Sequence, residues 1–141
     1  MPSASSPEEL WNLLMSDREH SRDVPEYRFD ADLFKGKFSE FKKPLSYKGF
    51  FLDQNELEGF DFDFFKISPR EAKNMDPQQR LFLKVVWEAL EDAGINPHSL
   101  NNSRTGVYVG SSEGEFRQVQ ATRFDEVEGY TGTGGNPSVI P

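Results

Sequence analysis

One local pattern fixes where the helices of this chain begin. A hydroxyl or carboxylate side chain is followed by proline, with a carboxylate or carboxamide three positions after the first residue. Ser6-Pro7-Glu8-Glu9, Ser68-Pro69-Arg70-Glu71 and Asp76-Pro77-Gln78-Gln79 all carry it. The first side chain accepts a backbone N–H that a helix leaves unpaired, and proline lacks the N–H that would otherwise go without a partner. The pattern predicts helices over about 7–15, about 69–74 and about 77–93.

The third helix has the strongest internal support. Leu81, Val85 and Ala89 recur at i, i+4 and i+8, with Phe82, Val86, Leu90 and Ala93 beside them. Such a stripe is broad enough for other elements to pack on. Gly94 suits the left-handed position after the last turn, with Ile95 packing back. Trp87 and Phe82 read as packing residues at this spacing. Residues 22–52 are irregular, punctuated by Pro25, Gly36, Pro44 and Gly49, with a short strand expected at Phe50-Phe51-Leu52. Arg104 to Val109 reads as a strand with Val107 and Val109 on one face. It leads into Gly110-Ser111-Ser112-Glu113-Gly114 and a short polar helix to about Gln120. The end, Thr131 to Pro137, reads as a flexible glycine-rich loop. No internal repeat or low-complexity tract is present.

Composition narrows the function classes. The 141 residues suffice for one modest domain. Hydrophobic content is 35%, low beside the roughly 45–50% usual for globular chains (a count that includes Gly), yet 13 Phe, 4 Tyr and 2 Trp supply mass for a core. Acids outnumber bases, 24 to 16, for a net charge of −8, which argues against a nucleic-acid partner because phosphate binding needs a surplus of cations. With no cysteine, the chain contains no disulfide, no thiolate zinc site and no thiol nucleophile. Met1 to Leu10 has no signal-peptide pattern, and no stretch approaches the roughly 20 apolar residues of a membrane span. The expected location is cytoplasmic. Asn101-Asn102-Ser103 fits a glycosylation sequon, which without a secretion signal reads as chance.

Several patterns raise specific chemistry. Gly110-x-Ser112-x-Gly114, between a predicted strand and a helix, is the context of a serine-hydrolase nucleophile. That arrangement needs a histidine after the serine, and both His20 and His98 precede it. The small residues then serve a tight turn, and a serine-hydrolase fragment stays a remote alternative. Thr131 to Gly135 lacks the Lys-Ser/Thr of a phosphate loop and the third spaced glycine of a dinucleotide site. His20 and His98 lie in polar, turn-like surroundings that suit surface residues. Asp61 and Asp63 alternate with Phe60, Phe62, Phe64 and Phe65, which reads as a solvated face opposite buried aromatics rather than an acid–base pair.

Read as one block, FDFDFFKISPREAKNMDPQQRLFLKVVWEALEDAGI, Phe60 to Ile95, resembles the ketosynthase domains of modular and iterative polyketide synthases. The upstream SSPEELWNLL helix, the VPEYRFDAD turn, the SRTGVYVG strand and the closing TGTGGNPSVIP resemble the same family, so the likeness runs from Ser5 to Pro141. The MDPQQR block beside the WEALEDAG helix is its most specific part. The resemblance implies a thiolase-like α/β fold of two similar halves and a homodimer. It also implies decarboxylative Claisen condensation of acyl chains delivered by an acyl carrier protein. There, a cysteine thiolate accepts the chain and two histidines assist the malonyl extender.

On that resemblance the chain is expected to be α/β, an incomplete thiolase-like fold comprising part of the first half only. Residues 1–141 form one N-terminal piece lacking the family's first core strand and everything from the catalytic cysteine onward. No catalytic residue is carried over, because neither histidine sits in a family motif, and the chain alone is expected to be inactive. Thr131, Gly132, Thr133, Gly134 and Asn136 are candidates for the acyl channel. No metal and no directly bound cofactor are expected; the phosphopantetheine of an acyl carrier protein is implied by the family alone. The expected partners are that carrier protein and a second ketosynthase subunit. The alternative is a non-catalytic remnant associating with a synthase subunit. A partial sheet would leave Thr105 to Val109 without pairing neighbours, and Leu81, Phe82 or Val85 uncovered.

Overall fold

The structure is a computed structural model, and it describes residues 2–28, 47–112, 115–122 and 129–140. The chain divides into two units, Met1–Leu57 and Glu58–Pro141. Gly36 and Pro44 lie outside the described residues.

In the first unit, helix α1 (Pro7–Leu14) begins where the cap pattern places it: Ser6 Oγ accepts the Glu9 N–H at 3.1 Å. The Glu9 carboxylate accepts the Ser5 N–H at 2.7 Å, one residue before the position an ideal capping box uses. Strands β1 (Arg22–Asp23) and β2 (Lys48–Gly49) pair antiparallel, Arg22 opposite Gly49 and Asp23 opposite Lys48. This corrects the strand expected at Phe50–Leu52, because the carbonyls of that segment are already engaged. Arg22 donates to Phe51 O and Asp53 Oδ1, both at 2.7 Å, and Tyr27 donates to Leu52 O at 2.7 Å. Helix α2 (Gln54–Glu58) follows.

In the second unit, α3 (Pro69–Asn74) and α4 (Pro77–Asp92) match the expected spans. Ser68 Oγ accepts the Glu71 N–H at 3.1 Å and Asp76 Oδ1 accepts the Gln78 N–H at 2.8 Å. Helix α4 stops at Gly94 as read: Gly94 has φ +67°, its N–H bonds Glu91 O, and the Ile95 N–H bonds Leu90 O at 2.8 Å, although the Ile95 side chain, expected to pack back, is exposed. A 3-10 turn follows at Pro97–Leu100.

The packed face of α4 differs from the expected stripe. Gln79 is buried and Leu83, Trp87 and Leu90 are half-buried on one side, while Val85 is 55% exposed and Val86 and Ala89 are also exposed. Trp87 packs edge-on against Phe64 at 4.7 Å, and Phe65 stacks on Phe60 at 5.2 Å. The carboxylates of Asp61 and Asp63 face solvent as expected, but Phe64 is half-exposed, so the aromatics form a surface cluster rather than a buried row.

Two further expectations are corrected. Residues 105–110 form no strand, because nothing among the described residues pairs with them. Thr131 to Pro137 is a docked turn rather than a flexible loop: α6 (Thr131–Gly134) precedes a 3-10 turn at Pro137–Val139. Helix α5 (Phe116–Ala121) agrees with the short polar helix read there.

Candidate functional site

The bend between α3 and α4 gathers the polar groups of the second unit. Pro77 ends α3 early, since the residue before a proline avoids helical geometry, and Asn74, Met75 and Asp76 turn the chain. The Asp76 N–H donates to Gly134 O at 2.8 Å, tying α6 to this bend. Asn74 O accepts from Gln120 Nε2 at 2.8 Å, bringing α5 to the same point. Thr131 Oγ1 donates to Asn74 Oδ1 at 3.4 Å.

Gln79 completes the junction. Its pattern resembles the third residue of a capping box, but its amide does not return to the helix start. The side chain is buried, and Nε2 reaches Thr133 O at 3.4 Å and Asn136 O at 3.3 Å. An amide removed from water needs such partners, because an unsatisfied buried polar group costs about 1–3 kcal/mol.

Beside the junction lies a cavity of about 580 Å³. Ile67, Met75, Leu83, Tyr130, Val139 and Ile140 give it apolar walls, and Glu71, Gln79 and Thr133 supply its polar groups. That size and mixture suit a small apolar ligand.

The five residues singled out from the sequence divide here. Thr133 and Gly134 line the cavity, and Thr133 Oγ1 donates to Tyr130 O. Thr131 faces Asn74, and the Asn136 carbonyl faces Gln79. Gly132 is exposed, with nothing within 4 Å of where a Cβ would stand. The sequence reading missed Asn74, Asp76, Gln79 and Gln120 as members of this cluster. The only local signal was a glutamine in a cap pattern that does not use it as a cap.

Arg80, half-buried next to Gln79, has its pKa lowered by burial, while Asp76 and Glu58 act in the opposite direction. Its Nε is buried without a hydrogen-bond partner among the described residues.

The other flagged residues do not assemble into chemistry. Ser112 is exposed, its carbonyl accepts from Ser111 Oγ at 3.0 Å, and no base meets its hydroxyl among the described residues; Gly114 lies outside them. His20 Nε2 sits 2.8 Å from Ser16 Oγ, and the His98 ring meets Trp87 edge-on at 6.4 Å. Asp61 Oδ1 accepts the Phe64 N–H, a turn contact. Among the described residues no group of three or more His, Cys, Asp or Glu is placed to hold a metal, and no helix is long and apolar enough to cross a membrane.

Comparison with known proteins gives a consistent result. The model of the β-ketoacyl synthase N-terminal domain matches residues 1–141. Mellein synthase of Phaeosphaeria nodorum is 43% identical over 140 residues, covering 96% of this chain and 8% of its own. The 6-methylsalicylic acid synthase of Aspergillus terreus is 40% identical over 134 residues, covering 92% of this chain and 7% of its own. Among solved structures, an oxazolomycin ketosynthase domain of Streptomyces albus superposes with a TM-score of 0.73 at 32% identity, covering 99% of this chain and 24% of that one. The chain therefore spans under a tenth of the length of these two curated relatives and about a quarter of that structure.

Proposed function

The chain belongs to the β-ketoacyl synthase family, as its N-terminal domain of the polyketide synthase kind, and from that premise we propose that residues 1–141 supply one wall of the acyl-binding channel in a domain that elongates acyl chains. The reaction is decarboxylative Claisen condensation on an acyl carrier protein, in the cytoplasm, with a second ketosynthase subunit as further partner. The observation that carries this reading is the cavity bounded by Thr133 and Gly134, whose remaining walls are mainly apolar.

Residues of this chain bind and orient rather than react. A condensing site needs a thiolate to accept the acyl group, and the chain contains no cysteine. The phosphopantetheine arm belongs to the carrier protein and supplies the thioester. The apolar cavity walls fit the acyl part of such a group, with Thr133 Oγ1 already engaged by Tyr130 O and so not competing for the chain. Gln79 holds the carbonyls of Thr133 and Asn136 and keeps the turn that forms this wall in place.

A chimera tests the proposal. Residues 1–141 replacing the matching residues of the mellein synthase ketosynthase should sustain condensation of acyl- and malonyl-loaded carrier protein. The purified chain alone should give no 3-oxoacyl product. A folded, soluble chimera without product, or product from the chain alone, would overturn the assignment.

A further inference from the structure

The buried Gln79 amide is satisfied on one side only. The residue is 5% exposed, and its Nε2 donates to Thr133 O at 3.4 Å and to Asn136 O at 3.3 Å. A carboxamide nitrogen carries two protons, so both are committed to this turn. The reverse orientation would set Oε1 against two carbonyl oxygens, acceptor facing acceptor. The two carbonyls therefore fix which way the amide points. Its oxygen accepts nothing among the described residues.

Where that oxygen sits decides its use. Gln120 Oε1 is also without a partner among the described residues, but it is sealed from solvent. Gln79 Oε1 is not sealed, and Gln79 lines the cavity of about 580 Å³, so the open acceptor faces that space. Thr133 Oγ1, on the same lining, already gives its proton to Tyr130 O, and the Glu71 carboxylate is another acceptor there.

A mainly apolar wall with one fixed acceptor discriminates between chains. Water satisfies such an oxygen while the cavity is wet. A saturated chain that enters displaces the water and returns no donor, which leaves a buried acceptor unsatisfied. A chain with a hydroxyl at the matching position replaces the lost bond. Sites of this kind reject the analogue that lacks the donor, because the protein's own polar group is then left unpaired.

Taking the cavity as the acyl channel proposed above, we infer that Gln79 is its specificity-determining residue. The carbonyls of Thr133 and Asn136 hold the amide so that Oε1 accepts a hydrogen bond from a hydroxyl on the acyl chain, and hydroxylated chains are preferred over saturated ones.

The chain contains no cysteine, so thioesters bind to it without acyl transfer to a thiol. The test titrates isotope-labelled 1–141 with the N-acetylcysteamine thioesters of octanoate, of 3-, 5- and 7-hydroxyoctanoate, and of the methyl ethers of those alcohols. An ether keeps the oxygen and loses the proton. At least one alcohol should bind about three- to tenfold tighter than octanoate and than its own ether, the worth of one neutral hydrogen bond. In NMR spectra the Gln79 side-chain carbonyl should shift with that alcohol alone, while the Nε2 protons stay in place. Gln79→Met, which removes the acceptor, should bring the preference close to one, and Glu71→Ala should retain it. Should Gln79→Met fail to fold, the alcohol and ether compared on the unaltered chain still decide. Equal binding of alcohol and ether, no alcohol preferred over octanoate, loss of the preference in Glu71→Ala, or no binding of any thioester would each overturn the inference. The chimera described above separates it from the channel reading. An active chimera with no preference among these chains rejects the role of Gln79 and keeps the channel, whereas a hydroxyl-dependent shift at Gln79 with an inactive chimera does the reverse.

Discussion

Two glycines in the same four-residue helix predict opposite responses to the same substitution. At Gly134, an alanine Cβ would stand 1.8 Å from Asn74 O, 2.6 Å from its carbonyl carbon and 3.2 Å from Met75 N. Those atoms are backbone at the bend before α4, so no side chain can rotate out of the way. Either α6 or the bend must move, and movement stretches the 2.8 Å bond from the Asp76 N–H to Gly134 O and the contacts of Gln79 with Thr133 O and Asn136 O. Forced overpacking costs about 1–3 kcal/mol, which exceeds the roughly 0.5–1 kcal/mol alanine gains over glycine in a helix. Gly132 has open space around it, so only the gain remains there. Gly134→Ala should therefore destabilise the second unit by about 1–3 kcal/mol, while Gly132→Ala should be neutral or stabilising by about 0.4–1 kcal/mol. Urea titration followed by Trp87 fluorescence, in a Trp11→Phe background, reads the energies, and hydrogen exchange at the Asp76 amide reads the junction. If both variants shift stability in the same direction, or Gly134→Ala leaves Asp76 protection unchanged, the close packing of α6 on the bend is wrong.

Three further outcomes follow from named contacts. Asp76→Ala removes the acceptor for the Gln78 N–H at a buried helix start and should cost about 0.5–2 kcal/mol in the same titration. Gly94→Ala places a side chain at φ +67° and should cost about 1–2 kcal/mol, with faster exchange at the Ile95 amide. Ser112 should stay unlabelled by a fluorophosphonate probe, because among the described residues no base meets its hydroxyl; stoichiometric labelling would restore the hydrolase reading.

The parts of this fold that could be read from sequence are those set within one turn of the chain. The caps at Ser6, Ser68 and Asp76 and the Gly94 stop depend on neighbours at most five residues away, and each forms as its residues dictate. The strand expected at Arg104–Val109 has the right residues, but a strand exists only with a partner, and pairing is not written locally. Thr131–Pro137 looked like a loose loop because its glycines suggest freedom. Gly134 is instead required by close approach to Asn74, some 60 positions earlier in the chain. Gln79 escaped notice for the same reason: its partners are Thr133 and Asn136, and only the folded chain brings them together. Within the candidate cluster, the turn at Thr131–Asn136 could be singled out from its own residues, whereas the polar junction on which it docks could not.

The misplaced face of α4 explains why this unit is polar where a domain of its size is usually apolar. The helix carries large apolar residues on two sides. Leu83 lines the cavity, Trp87 meets the aromatic cluster and Leu90 is half-buried, while Val85 and Ala89 face solvent on the side predicted to be buried. A helix apolar on both sides belongs between layers rather than at a surface. With one layer in place, among the described residues no large side chain falls below 2% exposure, and Asp76 and Gln79 are among the most buried groups. Covering the exposed half of a residue such as Val85 contributes about 1–1.5 kcal/mol, against a net stability of about 5–15 kcal/mol. A covering layer on Val85 would therefore do more than add contacts: by holding α4 still it would also hold Asp76 and Gln79, and through them the turn at Thr133 and Gly134 that walls the cavity.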